Sequence, residues 1–269
     1  MSEPKHVREA LAAARVARTE LGLGLEQPVH DLLEVVEQAA RVPVAVLDLP
    51  HQVAGAYLVR RDRPFIFVNG NDWVPRQRLT LAHELGHHRM HGHAVVDGEE
   101  SVDGRSDDPL EEQAYAFAGE FVAPEQALRG WLAARGDPVI DLEIVVRLGL
   151  AFGISAPAMM VRLVSAGIIL RQRQREQIWN QINLRQHREA ERALTASSVS
   201  PVEDQLAQIK RDDSLPRMPA ELRENALEAY EAGLINLDRL AAALGRGRGA
   251  AESLVTDLGI SQREPEPDW

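Results

Sequence analysis

His83 and His87, four residues apart with Glu84 beside the first, constrain this chain more than any other feature. Residues four apart on an α-helix are offset by about 40° and about 6 Å, so both imidazoles of "RLTLAHELGHHRMHGH" leave one face. One tetrahedral Zn²⁺ can then take a nitrogen from each, with bonds of about 2.0–2.1 Å. Glu84 is one step off that line, where its carboxylate reaches an attacking water rather than the cation. Leu85 and Gly86 are uncharged, and Leu79, Leu81 and Met90 give the helix apolar surface to bury. The competing reading is a histidine-rich helix end without metal; the apolar helical context favours the metal.

Around this helix the patterning is mainly helical, with a few strands before it. Val7, Leu11, Ala14, Ala17 and Leu21 recur at helical spacing until "GLG" breaks the run, and a second helix is predicted over Val29–Ala40. "VPVAVLDL" reads as a strand, and "VAGAYLVR" and "PFIFVNG" as an antiparallel hairpin around "RDR". The histidine helix should span Pro75–Met90, and "GHAVVDGEESVDGRSDDP" should be a long loop. Helices follow near Leu110–Val122, Pro124–Arg135, Leu142–Phe152 and Ala156–Ala166. "RQRQREQIWNQINLRQHREAERAL" reads as one polar helix with "TASSVSP" as linker. Three short helices and a disordered tail from residue 261 complete the chain.

A third ligand has to come from outside the motif. His93 lies six residues after His87, the spacing of HExxHxxGxxH, but Met90 stands where that motif needs glycine and Gly92 comes too late. Met159 and Met160 fall in a helical pattern and read as core. The other candidate is acidic, in "PLEEQAYAFAGEFVAPE", where Glu111 and its neighbour Glu112 alone would pass for a solvated helix start.

HExxH, a variable loop, E-x-x-A-x-x-F-A and a proline thirteen residues past the glutamate together resemble the ImmA/IrrE family of metallopeptidases. The positions here are Glu111, Ala114, Phe117, Ala118 and Pro124. The resemblance covers roughly residues 1–170 and implies a zincin-like core: an α+β, mainly helical fold with a small antiparallel-containing sheet, then a helical C-terminal region. It makes His83, His87 and Glu111 the zinc ligands and Glu84 the catalytic base of an endopeptidase, with Glu112 one register away. It also implies a substrate, a helix-turn-helix repressor of the XRE type, whose cleavage would derepress stress-response or mobile-element genes. Family members carry Asn or Asp four residues after the ligand glutamate; Tyr115 stands there in this chain, able to hydrogen-bond or to steady an oxyanion.

The expected organisation is a metallopeptidase domain over 1–170, with a helix-turn-helix-like segment at about 141–168. A polar helix and linker (171–212), a helical domain (213–260) and a tail (261–269) follow. That segment offers only Arg162 before Arg171, too few cations for groove binding, so it reads as scaffold or docking surface. Arg246 and Arg248 lie among Glu221, Glu224, Glu228, Glu231 and Asp238. A net charge of −11 disfavours nucleic acid, although a DNA-binding regulator remains an alternative, as does a non-catalytic, antitoxin-like docking component. Having no cysteine, the chain has neither disulfides nor thiolate ligands. No apolar run reaches membrane-spanning length and the first residues carry no signal core, so a cytoplasmic setting is expected. "PFIFVNG" is the candidate edge for an extended substrate, with a buried strand as the alternative. His91 is read as lining the cleft, His88 as surface or ligand support, and His6, His30, His51 and His187 as ordinary.

Overall fold

The computed structural model describes residues 4–92, 95–98, 108–169, 171–196 and 217–261. Helix α1 (Lys5–Glu20) opens the chain, and a short α2 (Leu32–Glu34) widens into a π-helical turn at Val35–Ala39. Strands β1 (Val44–Leu47), β2 (Val53–Arg60) and β3 (Arg63–Asn69) precede α3 (Val74–Met90) and β4 (Val95–Gly98). Helices α4 (Pro109–Val122), α5 (Glu125–Ala133), α6 (Leu142–Phe152), α7 (Ala156–Ser165), α8 (Gln172–Asn183) and α9 (Gln186–Ala196) follow. After them come α10 (Ala220–Glu231), α11 (Leu237–Ala243) and α12 (Arg248–Asp257). The fold is α+β and mainly helical, as the patterning predicts.

The sheet order is β1-β3-β2-β4, with β1 parallel to β3 and the other pairs antiparallel. The β2–β3 hairpin closes through Arg61 and Asp62 at φ 52° and 60°, the two-residue turn whose twist suits antiparallel strands. Val44, Val46, Tyr57, Ile66 and Val68 bury into the core shared with the helices. Two expectations are corrected. "PFIFVNG" is not an edge: β3 is paired on both sides. The predicted loop after α3 contains β4, which pairs with β2; four residues are too few to show alternation, and tertiary pairing decides them. His93 and the rest of that segment through residue 107 lie outside the described residues.

Helix α3 runs through the interior, between the sheet and helices α1 and α4. Its buried polar residues before the motif serve as ties: Gln77 donates to the carbonyls of Gly70 (3.2 Å) and Asp72 (2.5 Å), and Arg78 to those of Val29 (2.5 Å) and His30 (2.8 Å). Helix α4 is fixed against α1 by Arg15 on Glu120 (2.7 Å) and Arg18 on the Phe121 carbonyl (2.5 Å).

Helices α6 and α7 bend by 99° at left-handed Gly153, within the range of helix-turn-helix units. Arg162 does not face outward for a nucleic acid; it is buried against Glu120 and donates to the Ala123 carbonyl (2.8 Å). The predicted single polar helix breaks at Leu184–Arg185, where Arg185 has φ 60°, and becomes α8 and α9. Ile178 and Ile182 of α8 join the main core, and α9 packs on α6.

Ala226, Leu240, Ala241, Leu244, Ala251 and Val255 form a second, separate cluster within α10–α12. Ahead of it, Arg217 exchanges two 2.8 Å backbone hydrogen bonds with Val46 on the outer edge of β1. Glu37 accepts from the Arg217 guanidinium (2.6 Å) and the Ala220 amide (3.0 Å). Thr195 and Ala196, the first two residues of "TASSVSP", belong to α9, and the rest of that linker and the tail from residue 262 lie outside the described residues. Among the described residues, no single helix is long and apolar enough to cross a membrane.

Candidate metal centre

Three side chains from two helices converge inside the protein. His83 and His87 leave the same face of α3, and Glu111 enters from the first turn of α4, a helix capped by Asp108 and opened by Pro109. His83 Nε2 lies 3.0 Å from His87 Nε2 and 3.1 Å from Glu111 Oε2, and His87 Nε2 lies 3.3 Å from Glu111 Oε1. A tetrahedral cation with bonds of about 2.0–2.1 Å needs ligand atoms about 3.3 Å apart. Each separation is close to that spacing, with His83 and His87 facing different oxygens of the Glu111 carboxylate, and two imidazoles with one carboxylate are a donor set that fits a divalent cation. Burial alone would raise the Glu111 carboxyl, but hydrogen bonds from His83 and His87 and their nearby charge outweigh it and hold the group at about 2. Glu111 is thus ionised at neutral pH, as a ligand must be.

Close helix packing brings the carboxylate in. A Cβ on Gly86 would lie 3.1 Å from Phe117 Cδ1, so the glycine inside the motif lets α4 approach α3 closely. Glu112, the register alternative, is pulled away: its carboxylate is half exposed and pairs with His6 at 2.5 Å.

Glu84 is fully buried on the sheet-facing side of α3. Beneath it is Gly55 of β2, where a Cβ would stand 2.7 Å from Glu84 Oε1 and 2.5 Å from Thr80 Cγ2. The catalytic candidate thus sits in a space that only glycine leaves open. Gly55 gives no such signal in the sequence, where it reads as one small residue in a strand.

Tyr115, one turn after Glu111, sets its ring 4.3 Å from that of His83, centroid to centroid and tilted by 53°. His91 does not present a free ring to the cleft. Its Nδ1 is 2.8 Å from His87 Nδ1, and its Nε2 is 3.2 Å from Gln113 Oε1. Gln113 carries no motif signal; only its place two residues after Glu111 hints at proximity. His88 points to the sheet, with its Nδ1 3.0 Å from the Tyr57 hydroxyl, and burial and Arg89 lower its pKa.

No curated protein matches the chain. Residues 38–163 match the family model described as the IrrE N-terminal-like domain of the M78 peptidases, a span that holds the whole sheet, α3 and α4. Residues 38–163 are thus an IrrE N-terminal-like domain of metallopeptidase type, whose His83, His87 and Glu111 can together hold a metal ion.

Proposed function

We propose that this protein is a zinc-dependent endopeptidase working in the cytoplasm, and that its substrate is a helix-turn-helix repressor of the XRE type. The observation that carries the catalytic part is the set of 3.0, 3.1 and 3.3 Å separations among the donor atoms of His83, His87 and Glu111, beside a buried Glu84. The repressor and the release of stress-response or mobile-element genes rest on the family resemblance.

His83, His87 and Glu111 would hold Zn²⁺, which supplies Lewis acidity: it makes a water easier to deprotonate and a peptide carbonyl easier to attack. Glu84, excluded from the donor set by its position on the helix, takes the proton of the attacking water and returns it to the leaving amine. Its fixed seat over Gly55 limits the carboxylate to a narrow range of positions. Tyr115, whose ring lies against His83, would donate to a polarised carbonyl oxygen.

An extended peptide binds most readily as an added strand. Strand β3 is interior, and β1 is met at Val46 by Arg217, whereas β4 borders β2, the strand beneath Glu84. The substrate backbone is accordingly assigned to the β4 edge.

Co-expression with a candidate repressor tests the proposal. The wild-type protein should cut it, and Glu84→Gln should keep its metal and leave the repressor intact. Undiminished cleavage by Glu84→Gln would refute the peptidase reading.

A further inference from the structure

We infer that His91 and Gln113 form a positioning relay that fixes His87 as a metal ligand. The inference rests on the metal-site reading and extends it beyond the three ligands.

The argument is one of proton direction. His87 turns Nε2 toward His83 and Glu111, so ligation requires a lone pair on Nε2 and, in the neutral ring, the proton on Nδ1. That Nδ1–H points at His91 Nδ1 2.8 Å away, which must accept. His91, neutral and accepting at Nδ1, carries its proton on Nε2 and donates it to Gln113 Oε1 at 3.2 Å. Gln113 then presents its amide nitrogen to the His6 carbonyl of α1 at 3.4 Å. A backbone carbonyl can only accept, so it sets the orientation of the Gln113 amide and with it every donor in the chain. The opposite tautomer of His87, with neutral His91, would oppose two acceptors at the His91–Gln113 contact, or at the Gln113–His6 contact if the amide flipped.

Three elements thus cooperate on one imidazole. His91 caps α3 one turn beyond His87, Gln113 is on α4, and α1 closes the chain. Such support orients a ligand ring and raises its basicity, and its loss typically costs about 10–100-fold in metal affinity.

Zn²⁺ affinity, measured on the full chain by competition with a chromophoric chelator, tests the inference. His91→Leu should bind about 10–100-fold more weakly than wild type. Gln113→Leu should shift affinity in the same direction, and His91→Asn, whose Oδ1 can accept in place of Nδ1, should recover most of the loss. In the zinc-loaded wild type, ¹⁵N-histidine NMR should show an exchange-protected Nδ1–H on His87 that vanishes in His91→Leu. Wild-type affinity in a folded His91→Leu would overturn the inference, as would a His87 ring protonated at Nε2. Should His91→Leu fail to fold, Gln113→Leu and the wild-type spectrum decide. A wild-type protein that binds no Zn²⁺ would remove the metal site itself, and the relay with it.

Discussion

Gly55 lies directly under Glu84: a Cβ at position 55 would stand 2.7 Å from the nearer carboxylate oxygen. Two β-carbon-sized volumes cannot share that space, so the strand residue determines where the acid on the helix can sit. Gly55→Ala should therefore displace Glu84 while leaving the three metal donors untouched. A misplacement of about 1 Å costs on the order of 10²-fold in rate. Peptidase assays on Gly55→Ala and on Gly55→Ala/Thr80→Ser, which also removes the Thr80 methyl contact, should both show that loss with metal content unchanged. Recovery of full activity in the double variant would transfer the constraint to Thr80.

Gly86 governs the distance between the helices that supply the ligands. A methyl there would press on Phe117 at 3.1 Å, and overpacking of this kind costs about 1–3 kcal/mol. Because α4 carries Glu111, the strain falls on the donor set as well. Gly86→Ala should weaken Zn²⁺ binding and lower Tm, and Phe117→Leu in the same chain should restore part of both. Calorimetry and chelator competition read the two effects.

Glu120 holds α1, α4 and α7 together by meeting Arg15 at 2.7 Å and the buried guanidinium of Arg162. Removing one partner of a buried pair strands the other and costs about 3–5 kcal/mol. Glu120→Ala should fall in that range by denaturant unfolding. Replacing Glu120 and Arg162 together with apolar residues should cost clearly less than the single change.

Glu111 links the metal-free protein to pH. Its carboxyl sits at about 2 in the folded chain, below the ordinary 4.5, so its ionised form favours the folded state. That contribution is fully present above about pH 4.5 and is lost as pH falls through about 2. Stability of the metal-free wild type should thus drop across that window relative to Glu111→Gln, in thermal melts taken at successive pH values.

How much of this was legible beforehand differs from residue to residue. His83, Glu84 and His87 could be read because one helix carries them, and helical geometry turns sequence spacing into spatial spacing. The hairpin joining β2 and β3 and the glycine-containing turn after α6 are likewise local. Glu111 is reachable only through a two-part motif, since nothing in the 23 residues between His87 and Glu111 measures a distance between helices. The edge position of β4, the interior position of β3 and the burial of Arg162 depend on which strands and helices meet. Gly55 and Gln113 were missed for the same reason: each acts through a partner distant in sequence. His91 reads from its spacing as a residue able to line the cleft, because spacing gives the face of the helix and not the neighbour waiting there.

The central claim is that His83, His87 and Glu111 bind one divalent cation. X-ray absorption at the zinc edge, on protein loaded with one equivalent of Zn²⁺, addresses it most directly. The account predicts nitrogen and oxygen scatterers at about 2.0–2.1 Å, a two-imidazole signature, and loss of tight loading in Glu111→Ala and His87→Ala but not in Glu84→Gln. Equal loading of wild type and Glu111→Ala with an unchanged spectrum would contradict it.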